Sequence, residues 1–185
     1  AEFPAHMPQA KRSLALISAV NPFGADHQSS EHDPYYEEGI GDFNLDRLKV
    51  IGLGSPQPAY SLTEEKVRFA YETEVFYSMM DSAELCQFVY GPTWTLYGPN
   101  ETVEMMKAVT GWDLTVEEIM EVGRRRLDLF RTFNAREGFG RKDDQLPKKF
   151  FKALKGTGPT AGFVLTHEEF DSALNTYYKL AGWTP

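Results

Sequence analysis

At 185 residues, 42% of them hydrophobic and with 13 Phe, 9 Tyr and 3 Trp, the chain is of single-domain size and far from a disordered composition. A formal charge of −8 argues against nucleic acid as a main partner, because such binding rests on clustered Lys and Arg. There is no apolar run long enough for a membrane span, no apolar stretch of a signal peptide and only a single cysteine, so a soluble, cytoplasmic protein without an internal disulfide is expected.

The opening AEFPAHMPQAKR begins without Met and without an obvious cap before Leu14-Ala15-Leu16-Ile17, and it reads like a cut made inside a longer protein. A helix is expected from Pro8 to Val20. The rest of the first third is dense in Pro, Gly, Asp and His and reads as loop, and so long an irregular segment is usually functional or disordered.

From Ser61 the pattern turns helical. Ser61-Leu62-Thr63-Glu64, Thr115-Val116-Glu117-Glu118 and Thr166-His167-Glu168-Glu169 each fit a capping box, in which a hydroxyl accepts from an orphan N–H and the Glu reaches back. The first helix continues through Val67, Ala70, Tyr71, Val75 and Met79 into the segment DSAELC. A long helix from Thr115 to Asn134 carries an apolar stripe at Val116, Ile119, Met120, Leu127, Phe130 and Phe133. Shorter helices are expected at Thr102 to Val109, Leu146 to Leu154 and Thr166 to Ala181, with breaks at Gly91-Pro92, Gly98-Pro99 and Gly156 to Pro159. A short strand is expected only at Gly162 to Leu165. The fold class is mainly α: residues 1–185 as one irregular helical domain with a long Pro/Gly/acidic loop region in its first third.

Five features carry candidate chemistry. Cys86, flanked by Leu85 and Phe88, is by itself most often a small buried hydrophobe. Asp81, at the start of a new turn, has a structural reading as an N-cap. His27 follows Asp26 in a Gly-containing polar loop, where an imidazole can act in proton transfer or simply be solvated. His32 lies five residues further on, beside Glu31 and Asp33, in a spacing that matches no strong metal signature. Finally, Arg124-Arg125-Arg126, Arg136, Arg141 and Lys142 form a basic patch, either a solvated helix face paired internally or a dock for an acidic partner or anionic cofactor. From these residues alone no reaction follows.

Taken in order, AVNPFGADHQSSEHDP, DSAELC, LTVEEIMEVGRRRLDLFRTFNAREGFGRKDDQLPKKF and the terminal YYKLAGW give a sequence that resembles the carboxy-terminal helical part of the aldehyde ferredoxin oxidoreductase family. These are tungsten, sometimes molybdenum, bis-pterin enzymes. The resemblance spans essentially the whole chain and implies upstream domains before residue 1. DSAELC matches the family's D-x-x-G-L-C segment, which implies that Cys86 is the fourth thiolate of a [4Fe–4S] cluster whose other three cysteines lie upstream. It further implies that Asp81 hydrogen-bonds a pterin ring and that the Leu85 backbone faces it. Glu84 departs from the family's usual Gly, and a side chain there would crowd a close backbone approach. His27 aligns with a family histidine implicated in proton transfer near the metal, with Asp26 placed to orient the ring. Met7 and Gln9 stand where the family has Asp and Arg.

The implied activity is oxidation of aldehydes to carboxylic acids, with electrons leaving through the cluster to ferredoxin, in an enzyme of which this chain would be inactive alone. The implied partners are ferredoxin, the aldehyde and the upstream domains, with a homodimer left open. The acidic loop around His27 would help form the substrate entrance. Two alternatives stand beside this reading: a subunit of an aryl-CoA (benzoyl-CoA-type) reductase, and a metal-free helical interaction module.

Overall fold

A computed structural model describes residues 7–40, 42–91 and 97–184. Among them are seven α-helices: α1 (Arg12–Val20), α2 (Asp42–Leu48), α3 (Glu64–Ser82), α4 (Gln87–Tyr90), α5 (Pro99–Thr110), α6 (Val116–Arg136) and α7 (His167–Ala181). Single 3-10 turns lie at Asp33–Tyr36, Lys49–Ile51, Arg141–Asp143 and Lys148–Phe151. The fold is mainly α as expected, and no strand occurs among the described residues. No described helix is long and apolar enough to cross a membrane.

The architecture is built around α3, which is buried along most of its length. It packs most extensively on α6, with α1 and α7 also laid against it. Val67, Ala70, Tyr71, Val75 and Met79 fill the main core with Leu16 and Ile17 of α1, Ile119, Met120 and Leu127 of α6, and Leu174 and Tyr177 of α7. Gly123 makes the α3–α6 crossing possible: a Cβ there would lie 2.0 Å from the Val75 carbonyl oxygen, and Ser78 Oγ donates to the Gly123 carbonyl at 3.0 Å.

Several boundaries differ from the expectation. The cap of α3 is Thr63, whose hydroxyl accepts from the Lys66 N–H at 3.2 Å, while the Ser61 hydroxyl donates to the Pro58 carbonyl. The boxes at Thr115 and Thr166 form as read. The first helix begins at Arg12 rather than Pro8, and the helix expected at Leu146 to Leu154 shrinks to the 3-10 turn Lys148–Phe151. No strand forms at Gly162 to Leu165: Leu154 and the Gly162-Phe163 pair exchange two backbone bonds that close a loop, and no ladder extends from them. Residues 2–6 of the opening segment and Pro92 fall outside the described residues.

The first third is less of a loop than its composition implies. α2 and the two 3-10 turns lie in it, and Tyr36, Leu45, Leu48 and Leu53 close with Phe69 of α3 into a second apolar cluster. It is pinned by a fully buried ion pair, Lys66 Nζ to Asp33 Oδ1 at 2.6 Å. Ser13 adds its amide and hydroxyl to the Asp33 carboxylate, so that the buried charge has a complete set of partners.

The α6 stripe also divides. Ile119, Met120 and Leu127 are buried, but Phe130 and Phe133 are exposed. In the last turns of α6 the inward positions fall to polar residues: Arg131 binds Asp144 with both guanidinium nitrogens at 2.9 Å, and Asn134 Nδ2 donates to the Pro22 carbonyl. The two aromatics are thereby rotated onto an open flank of the helix.

Candidate functional site at the end of α3

The last turn of α3 passes from the buried Met79 and Met80 to the exposed Asp81 and Ser82. There the chain reverses, with the Leu85 N–H donating to the Met80 carbonyl at 2.9 Å. The reversal requires Glu84 to take φ 57°, which makes it the one non-glycine residue with positive φ among those described. Such a conformation costs a side chain about 1–2 kcal/mol and costs glycine almost nothing. Glu84 therefore keeps the backbone shape a glycine would take, and its own side chain is exposed.

Leu85 is half-buried against the core, and Cys86 caps the short α4 with its backbone carbonyl, which accepts from Val89 and Tyr90. The Cys86 side chain makes no cap bond, and the thiol is free and exposed. A buried-hydrophobe role for Cys86 is thus ruled out by its place on a surface turn.

Asp81 is not an N-cap. It sits at the carboxy-terminal, negative end of the α3 dipole, an unfavourable place for a carboxylate, and is compensated by Arg126 at 3.1 Å. Arg126 also reaches Ser78 Oγ at 3.3 Å, and its guanidinium lies 5.1 Å from the Phe23 ring and 4.8 Å from the Phe130 ring. Through that one side chain the NPFGADH segment and the DSAELC turn meet on α6. Asn21 Nδ2 donates to Ser29 Oγ at 2.7 Å, and Asn21, Ser29, Glu74, Asp81 and Arg126 line one narrow crevice.

His27 is half-buried in this loop. Its backbone carbonyl accepts from His32 Nε2 at 2.7 Å, and the two rings stand 6.0 Å apart. Burial lowers the His32 pKa, which favours the neutral ring with the proton on Nε2. His32 therefore holds the peptide that carries His27. Asp26 accepts from the Gln28 N–H at 2.9 Å and closes an Asx turn beside the histidine.

The neighbouring acids face inward. Glu31 is buried and accepts from the Tyr77 hydroxyl at 3.0 Å, and Asp33 holds Lys66. These two carboxylates hold the loop to α3. The arginines, too, are largely engaged internally: Arg124 with Glu72 and Glu121, Arg126 with Asp81, Arg131 with Asp144 and Tyr178, and Arg141 with Asn175. Among the described residues no three His, Cys, Asp or Glu side chains converge to hold a metal ion.

Glu74 was not singled out from sequence. It lies on α3 at 1% exposure, and burial pushes its pKa up to about 8 against the opposing bond from the Tyr177 hydroxyl at 2.5 Å on Oε2. Oε1 meets no donor. The signal was present: Val67, Ala70, Tyr71, Glu74 and Ser78 repeat at three and four residues, which places Glu74 on the inward face.

The family model described as aldehyde ferredoxin oxidoreductase, domains 2 & 3, matches residues 1–185. Curated relatives described as tungsten-containing aldehyde ferredoxin oxidoreductase include a Thermococcus kodakarensis protein, 29% identical over 184 residues, covering 99% of this chain and 27% of the relative. A Pyrococcus furiosus protein of the same description is 28% identical over 184 residues with the same coverage, and one from Pyrococcus horikoshii is 31% identical over 137 residues, 74% of this chain and 21% of the relative. The chain spans about a quarter of the length of these relatives.

Proposed function

The chain belongs to the aldehyde ferredoxin oxidoreductase family, and from that membership we propose that it is the carboxy-terminal helical domain of a tungstopterin oxidoreductase that oxidises aldehydes to carboxylic acids. The observation that carries the reading is the position of Cys86: the sole thiol of the chain is exposed on a glycine-like turn beside Asp81, where a neighbouring domain can reach it. When bound, a tungsten or molybdenum bis-pterin supplies the two-electron oxidation of the carbonyl carbon and a [4Fe–4S] cluster carries single electrons onward to ferredoxin.

The residues of this chain suit supporting roles toward those groups. Cys86 offers one soft thiolate, the complement to three cysteines in sequence outside these residues. Asp81 has Oδ2 engaged by Arg126, so Oδ1 is left to accept from a ring N–H of a pterin. The Leu85 N–H is already spent on Met80, which leaves its carbonyl to face the ring. His27, on a peptide held by His32, moves the proton released as the carboxylic acid forms.

The test uses the full-length protein. Cys86→Ser is expected to lose cluster iron and electron transfer to ferredoxin. His27→Ala is expected to keep its metal and cluster spectrum while kcat falls by about 10²–10⁴-fold, the usual size of a lost acid/base group. Full aldehyde-oxidising activity in both variants would remove these assignments, and reduction of an aromatic thioester in place of aldehyde oxidation would move the enzyme to the aryl-CoA reductase reading.

A further inference from the structure

The open flank of α6 is an apolar feature of the surface that the site at the end of α3 does not account for. Val122, Leu129, Phe130 and Phe133 project from one side of the helix and Phe23 joins them from the loop, around a groove of about 770 Å³ that Pro22 and Asn134 also line. Leu129 is 66% and Phe133 62% exposed. Contiguous large apolar side chains of this kind mark an interaction surface, since each loses burial energy while it faces water.

We propose that this flank is the seat of the rest of the enzyme: sequence outside these 185 residues, belonging to the domains that the relatives carry, packs on α6 and so brings its cysteines to Cys86. The proposal rests on the reading of Cys86 as a shared cluster ligand, and three observations favour this occupant. The groove is continuous with the cluster turn, because Ser82 lines it and Arg126 on its rim holds Asp81. The chain spans 27% of the Thermococcus kodakarensis relative, so most of such an enzyme lies outside it. The rim carries the exposed Arg125 on a chain of net charge −8, which suits an apolar segment flanked by a carboxylate.

Other occupants fit less well. A second copy docked by a two-fold axis through the groove would set Arg125 against its own copy. A transient electron-transfer partner uses a smaller, more polar contact and would leave this aromatic cluster in water between encounters.

The experiment introduces Leu129→Cys and, as an exposed control, Val109→Cys into the full-length protein; Val109 is 81% exposed. Alkylation by N-ethylmaleimide is followed at each site by peptide mass spectrometry, native and in urea. Leu129→Cys is expected to react at least about 100-fold more slowly in the native protein than in urea, since access then requires local opening, while Val109→Cys stays within about tenfold. Equal native reactivity at both sites overturns the proposal. A photo-crosslinking amino acid placed at position 129 identifies the neighbour: capture of sequence outside residues 1–185 of the same enzyme supports the proposal, whereas capture of a second copy of these residues, or of ferredoxin, overturns it. Iron measured on Cys86→Ser in parallel separates the two claims. A protected Leu129→Cys in an enzyme whose iron survives Cys86→Ser removes the cluster reading and keeps the interface; a freely labelled Leu129→Cys with iron lost does the reverse.

Discussion

With Oε2 accepting from Tyr177 and Oε1 facing no donor, the Glu74 carboxyl is stable inside α3 only as the neutral acid. Its folded pKa of about 8 stands above the ordinary 4.5, so the stability it contributes is complete below the ordinary value and is lost as pH rises toward and through 8. Glu74→Gln keeps an oxygen for Tyr177 and cannot ionise. We expect the stability of the native protein to fall between pH 5 and 8 by about 4 kcal/mol more than that of Glu74→Gln, a difference read from paired urea titrations across that range. Parallel pH curves for the two proteins would show that Glu74 is not held neutral. Glu84 gives a second prediction at this scale. Because its φ is 57°, Glu84→Gly should raise stability by about 1 kcal/mol in thermal denaturation, the reverse of what glycine does inside a helix. Glu74 was legible from its spacing, whereas the strain at Glu84 was not: a helix end looks the same in one-letter code whether its reversal is left-handed or not.

Along the elements, the crossing of α3 and α6 is limited by one position. A methyl at residue 123 would sit 2.0 Å from the Val75 carbonyl oxygen, a backbone atom that cannot move without shifting α3. Gly123→Ala should therefore destabilise the fold by about 3 kcal/mol or more despite the better helix propensity of alanine, seen as a lower urea midpoint with secondary structure intact. An unchanged midpoint would mean that the two helices can separate without cost. Helix existence and type were readable at this scale because Thr115 and Thr166 cap through bonds that span only three residues. The start of α3 was misread for a tertiary reason. Capping at Thr63 sets the helix phase that buries Lys66 against Asp33, a partner 33 residues away that no local pattern announces. Seven-residue α2 escaped notice because it is too short to show a period, and Leu45 and Leu48 become a recognisable apolar face only against Phe69.

For the whole molecule, the long helices α3, α6 and α7 in their order, the mainly α class and the family membership were present in the linear sequence. They depend on neighbours a few residues apart, or on motifs that survive as strings, and such information needs no fold to be read. The tertiary structure alone decided which side of each element faces water. It turned Glu31 and Asp33 inward onto Tyr77 and Lys66, put Cys86 outside, tied Asp81 to Arg126 and left Phe130 and Phe133 on an open flank. Each of these outcomes is settled between groups dozens of residues apart in the chain, where burial costs and charge pairing are set by three-dimensional neighbours that composition and spacing do not specify.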